Sequence, residues 1–362
     1  MGIGALRGDA RLADLDAAKL LRLEAGVEEE TKKDREERLA AARGAFEEAA
    51  KLAPDRAEPS QRLGYLVLAT GGDKAKAREL YAKAIANDPA KTDLTALLAA
   101  LSAKELLAFC EAAQRDFKKS HPRVGADSPD DAPILWYLAY AKYLNDDRKA
   151  AEEGFRVVAK KTPADMTARY YLGKIAYFDK RYKEATAEFE LIAKRSPKEL
   201  AAIGRGDGMF TPILQGLVGK LIEGEGGAAV TAVVGNPGLE TAIRFQEAII
   251  ESDPNNAREW NNLGLFHRDA GHPKQALEAY LKALSLAPKD PRVLNDTAVV
   301  YHYYLKTNDA EAKRLYEQAI EIAKEVAASK SASIPAKEDA RSALQDAQTN
   351  LARLLKGNRK ND

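Results

Sequence analysis

Apolar and small residues recur along most of this chain at intervals of three and four, the spacing that lays them on one face of an α-helix. The pattern is sharpest between Trp260 and Pro288. Trp260, Leu263 and Gly264 mark one face of a first helix, and Ala276, Tyr280 and Ala283 mark a small–large–small stripe on a second. A ring flanked by small residues fills the gap between two packed helices, and a glycine opposite it lets the backbones approach. Pro288 stops the second helix, since proline has no N–H and clashes with the preceding turn. The segment predicts a helical hairpin whose turn holds His272 beside Pro273.

The same offsets recur. Leu172, Gly173, Ala185, Phe189, Ile192 and Pro197 repeat them, and Leu138, Ala139, Ala151, Phe155, Val158 and Pro163 lie one period upstream. Leu63, Gly64, Ala77, Tyr81, Ala84 and Pro89 form another unit, with one extra residue at Gly71-Gly72-Asp73. Ala42, Phe46, Ala49 and Pro54 supply the second helix of a unit before that. Beyond Pro288, the residues Leu294, Ala298, Ala312, Tyr316 and Ala319 make a unit with two residues added in its turn.

Trp-x-x-Leu-Gly followed by Ala-x-x-x-Tyr-x-x-Ala and Pro resembles the tetratricopeptide repeat, a helix–turn–helix unit of 34 residues. The resemblance implies an all-α, right-handed α-solenoid of tandem helix–turn–helix repeats, about seven to nine hairpins with a C-terminal capping helix. Residues 1–56 are then N-terminal capping helices and a first repeat-like unit, and 57–131 hold one repeat and a divergent helical unit. Two tandem repeats occupy 132–199, and 200–256 hold a stretched unit with a glycine-rich insertion. Two more repeats fill 257–330, and 331–362 form the capping helix and tail. Near the N-terminus Leu12, Leu15, Leu20 and Leu23 are helical but off consensus, and Glu28 to Arg38 is a solvated face of mixed charge. The stripe Ala340, Ala343, Leu344, Ala347, Leu351, Leu354 and Leu355 predicts the cap, ending at Gly357 before the tail Asn358–Asp362.

The stretch Gly204–Gly238 breaks the pattern, with the β-branched run Ala228–Val234 at its centre. It is expected to be a long loop and lengthened helix within one repeat, or an insertion folded over the groove. Gly216-x-x-Gly219-Lys220-Leu221 lacks the spacing and hydroxyl of a phosphate-binding loop. Two Arg-Gly-Asp triplets, at Arg7 and Arg205, are read as chance.

Charge narrows the function. With 56 basic and 55 acidic side chains the net charge is +1, which argues against a nucleic-acid or membrane-surface binder. No apolar run spans a membrane, and the single Cys110 excludes an internal disulfide and fits a reducing compartment, so a cytoplasmic location is expected, with a processed exported domain as the alternative. The histidines His121, His267, His272 and His302 lack metal-ligand spacing, though His267 and His302 stand where they could line a groove. No nucleophile elbow or metalloprotease motif is present. The expectation is no enzyme activity, no cofactor and no metal.

The resemblance also implies where a ligand would lie, because the first helix of each repeat lines the concave face. Positions 2, 5, 6, 9, 12 and 13 of 132–165 and its successor give Trp136, Tyr137, Tyr140, Tyr143, Tyr170, Tyr171, Lys174, Tyr177 and Phe178. About half of these rings are expected to pack between helices, the rest forming an amphipathic stripe suited to an extended, proline-containing or apolar helical segment. The C-terminal repeats place Asn261, Asn262, Arg268, Arg292, Asn295, Asp296 and His302 at such positions. Asparagines there can hydrogen-bond a peptide backbone, or simply face water. The basic clamp for a terminal carboxylate is not reproduced, and Asp296 would repel a carboxylate. The function implied is a non-catalytic scaffold or adaptor that binds a protein or peptide segment. The alternative is a regulatory or substrate-recruiting module of an enzyme whose catalytic domain lies elsewhere, and self-association remains open.

Overall fold

The computed structural model describes residues 32–125, 127–223 and 237–357. The leucines at 12–23, the Arg7 triplet, the run 228–234 and the tail 358–362 lie outside them. The described residues are helical and contain no strand. The chain divides into two compact units, Met1–Arg181 and Tyr182–Asp362, a boundary inside the 132–199 segment.

Unit 1 runs α1 (Lys32–Leu52), α2 (Ala57–Ala69), α3 (Lys74–Asn87), a 3-10 turn (Pro89–Lys91), α4 (Thr95–Ala100), α5 (Ala103–Ser120), α6 (Ala132–Leu144), α7 (Arg148–Lys161) and α8 (Thr167–Phe178). The hairpins α2–α3 and α6–α7 are the repeats read from the spacing. The divergent segment is helical as expected: Ser102 and Glu105 form a reciprocal capping box that starts α5. Cys110 on α5 is buried, and loss of water pushes its thiol up to about 12, which leaves it a packing group.

Unit 2 runs α9 (Tyr182–Arg195), α10 (Pro197–Gly204), α11 (Phe210–Glu223), α12 (Pro237–Ser252), α13 (Ala257–Asp269), α14 (Pro273–Leu286), α15 (Pro291–Val299), a π-helical turn (Val300–Leu305), α16 (Asp309–Ala328) and the cap α17 (Ile334–Leu355). Much of the Gly204–Gly238 stretch is therefore helix: Gly206 turns the chain at φ 82° and α11 follows.

The repeat motif is explained by close packing. A Cβ on Gly264 would stand 2.7 Å from the Tyr280 ring, and one on Gly64 2.9 Å from Tyr81. The triplets Ala77/Tyr81/Ala84, Ala151/Phe155/Val158, Ala276/Tyr280/Ala283 and Ala312/Tyr316/Ala319 are all buried. Ala42, Phe46 and Ala49 on α1 are only half-buried; the partner helix expected for their unit falls upstream of Lys32, outside the described residues.

Turns obey one rule. Asp146, Lys180 and Gly271 hold left-handed φ of 60°, 62° and 81°. The next residue's N–H reaches back five positions: Asp147 to Lys142 at 3.1 Å, Arg181 to Ala176 and His272 to His267 at 2.8 Å each. This is the Schellman closure of a helix C-terminus. The extra residue near Gly71 is absorbed the same way, with Gly72 N–H bonded to the Val67 carbonyl at 2.8 Å. In the last repeat the two added residues instead widen the helix end into the π turn, and Thr307 N–H reaches six back to Tyr301 at 3.1 Å.

Candidate partner-binding site

The aromatic positions of unit 1 sort into two layers. Trp136, Tyr137, Tyr170, Tyr171 and Lys174 are buried, none more than 9% exposed. Trp136 packs edge-on to Phe155 at 6.0 Å and to Tyr171 at 5.7 Å, while Tyr171 stacks on Phe155 at 5.0 Å. The Tyr137 hydroxyl accepts the Leu94 N–H at 3.3 Å and so ties α6 to the start of α4. These four rings and the lysine hold the wall together, and the expectation that they offer groove surface is corrected for them: their neighbours cover them. Tyr140, Tyr143 and Tyr177 are half-buried and Phe178 is exposed. Tyr140 stacks on Trp136 at 5.3 Å and Tyr143 follows Tyr140 at 6.5 Å with nearly parallel planes. The Lys174 ammonium lies 5.7 Å from the Tyr143 ring centre, a cation–π distance. The outer rings thus sit on an ordered base, which lowers the entropy a partner must offset on binding.

The polar positions of unit 2 bond to one another instead. Asn261 on α13 donates to Asp296 on α15 at 3.4 Å, and Asn295 donates to the same carboxylate at 3.3 Å. Loss of water pushes the Asp296 carboxyl above its ordinary value, against Arg268, both amides and Arg292, which pull it down. Arg268 forks onto Asp269, with Nε and a terminal nitrogen each at 2.9 Å. Asn262 donates to Glu259 at 3.4 Å.

Two of these positions are taken by the cap. Asn350 on α17 donates to Asn295 at 3.1 Å and accepts from the Tyr303 hydroxyl at 3.1 Å, and Arg292 pairs with Asp339 at 2.7 Å. Asp339 and Asn350 are eleven residues, three turns, apart on α17 and share one face; that spacing could have revealed them from sequence. His302 is also corrected: it is fully buried, stacked on Tyr303 at 3.9 Å and 3.4 Å from the Tyr316 hydroxyl, because the π turn rotates it inward. His267 is half-buried and its imidazole is pushed down by loss of water and by His272. Sequence reasoning missed Glu259, a buried carboxylate held by Gln215 at 3.0 Å and Gln246 at 2.7 Å, which pins α11 and α12 to α13. Among the described residues no cluster of His, Cys, Asp or Glu could hold a metal ion, and no helix is long and apolar enough to cross a membrane.

Known proteins place these repeats. Residues 33–92, 138–199 and 257–290 match family models described as tetratricopeptide repeat. These segments are tetratricopeptide repeats, and such repeats support a scaffold for protein interaction. The chain is similar to Photosystem I assembly protein Ycf3 of Synechococcus elongatus (strain ATCC 33912 / PCC 7942 / FACHB-805), 39% identical over 89 residues, 23% of this chain and 51% of that protein. It is 36% identical over 90 residues to Ycf3 of Rippkaea orientalis (strain PCC 8801 / RF-1), covering 23% of this chain and 51% of that one. The chain spans about half the length of these curated relatives. Solved structures similar to it include the MamA protein (19% identity, 56% of this chain, 98% of that chain, TM-score 0.32). YrrB, described as a TPR protein with an unusual peptide-binding site, is 16% identical over 63% of this chain and 97% of its own, TM-score 0.35.

Proposed function

We propose that this chain is a non-catalytic adaptor that holds a segment of a partner protein against the outer aromatic layer of unit 1. Tyr140, Tyr143 and Tyr177 supply ring faces and hydroxyl tips, with Phe178 at the edge. The observation that carries it is the layering: half-exposed rings stacked on a buried aromatic base, an arrangement that gives large contact area at small entropic cost. The polar positions of unit 2 are a weaker candidate, since Asn295 and Arg292 already bond to α17. The curated relatives are named assembly proteins, and by analogy the partner segment here belongs to a subunit brought into a complex.

The test uses Tyr140→Ser with Tyr143→Ser, which spares the buried layer. Affinity capture from the source lysate, read by mass spectrometry, is expected to lose specific protein partners in this folded variant and keep them in wild type. Partners retained by the variant, with unchanged helicity and melting, would remove the aromatic face from the site.

A further inference from the structure

Unit 1 carries another concave surface, at the end of α5. The last turn of that helix presents Lys118 and Lys119, and residues 121–125 and 127–131 lie between it and α6. A cleft of about 460 Å3 opens there, with Phe117, Val124, Leu135 and Val157 as its apolar lining. A hollow of about 530 Å3 continues it past Pro122 and Arg123.

The cleft is built on fixed parts. The Lys161 ammonium is 2.8 Å from the Asp131 carboxylate and donates to the Ser128 carbonyl at 2.7 Å, with both charged side chains buried. That pair holds the connection onto α7 and neutralises the carboxylate at the cleft wall. Phe117 and His121 stack at 4.3 Å with planes 20° apart. Val157 on α7 is 45% exposed, an aliphatic group facing the opening rather than the core. The last carbonyls of α5 are already used: Ser120 Oγ bonds to those of Asp116 at 2.9 Å and Phe117 at 3.1 Å.

The charges left over are mainly positive. Lys118 and Arg123 are exposed, and neither has an ion-pair partner among the described residues. Asp127 is engaged by Lys160 at 3.4 Å, so Asp130 is the acid of this rim without a cation. A basic segment would meet Lys118 and Arg123 across an apolar floor, and a neutral one would leave both cations unmatched.

We infer that this cleft docks an acidic segment of a partner protein, whose aliphatic or aromatic side chain enters against Phe117, Leu135 and Val157 while flanking carboxylates meet Lys118 and Arg123. The surface is separate from the aromatic face, so one chain can hold two protein segments at once, as a scaffold requires.

A fluorescein-labelled octapeptide, Asp-Glu-Asp-Leu-Phe-Asp-Glu-Asp, tests it by anisotropy on the full chain. Its counterpart carries Lys in place of each acidic residue. The acidic probe is expected to bind below about 1 mM, and to weaken as salt rises from about 50 to 300 mM. Lys118→Glu with Arg123→Glu should weaken it about tenfold or more, and Val157→Asp similarly. Tyr143→Ala, on the aromatic face, should leave this binding unchanged whether or not that face is the main site. The inference is overturned if the lysine counterpart binds equally well, if binding survives K118E/R123E, or if no binding occurs at millimolar probe. Should Val157→Asp unfold unit 1, the exposed Lys118/Arg123 pair decides alone.

Discussion

Corresponding positions of two pairs of repeats are filled by rings in unit 1 and by amides and charges in unit 2, and the two sets meet different fates. In unit 1 the sides of the rings are absorbed by packing: Trp136, Tyr170 and Tyr171 sink into the wall and leave Tyr140, Tyr143 and Tyr177 at the surface. In unit 2 the side-chain donors are absorbed by neighbouring acceptors, Asn261 and Asn295 converging on Asp296 and Asn350 reaching Asn295 from the cap. A repeat position sets the direction in which a side chain leaves its helix. What remains for a partner depends on what else that side chain can satisfy nearby. A planar ring has two faces and an edge, so burying one part leaves another to offer. An amide has few hydrogen-bonding atoms, and once they are used little is left.

The largest effect that tests this contrast is expected in the buried layer. Trp136→Ala removes a ring in contact with Tyr137, Tyr140, Phe155 and Tyr171. A cavity of that kind costs about 3–5 kcal/mol. Tyr143→Ala, one layer out, should cost no more than about 1.5 kcal/mol, its cation–π contact with Lys174 included. Urea midpoints of the two variants measure the difference. Equal losses would mean that the two layers are one core and that the outer rings are no freer than the inner.

This layering is also where the sequence stops being informative. The small–large–small triplets and the Leu-Gly pairs identified every repeat hairpin that carries them, because close approach admits few residue types: Gly264 is the residue that clears Tyr280. The sequence also marked Trp136 and Tyr140 for the same groove, and nothing in a three- or four-residue interval tells which of two rings faces out. That depends on Phe155, which comes from another helix and packs against Trp136. The inward turn of His302 depends on a π-helical end that compensates for two added residues. An insertion can be counted in the sequence, but the way it is absorbed is settled by packing.

An intermediate effect is expected at the centre of the polar set. Because burial holds the Asp296 carboxyl above its ordinary value, the folded chain binds this proton more readily than the unfolded chain does. Between the unfolded value, about 4, and the higher folded one, stability contributed by this group falls as pH rises. Asp296→Asn keeps the shape, removes the charge and leaves Arg268 its partner Asp269. It should raise stability at neutral pH and flatten the fall in stability above about pH 4. Melting curves across that range decide. A variant less stable than wild type at pH 7 would show that the carboxylate, rather than a neutral acceptor, is what the two amides need.

The smallest effect belongs to the charged contact of the cap. Arg292 and Asp339 approach to 2.7 Å, yet both side chains are more than half exposed. Water and salt screen such a pair, so Arg292→Ala should cost about 0.2–1 kcal/mol, less in high salt. Asn350→Ala acts on the same helix but strips partners from buried Asn295 and from Tyr303, and an unpaired buried polar group costs about 1–3 kcal/mol. Hydrogen exchange of α17 amides separates the two: protection should drop more for Asn350→Ala. The reverse order would mean that charge, and not the amide network, fastens the cap. The polar positions of α15 would then be released to face a partner as the outer rings of unit 1 do, and the contrast between the units would narrow to the identity of their side chains.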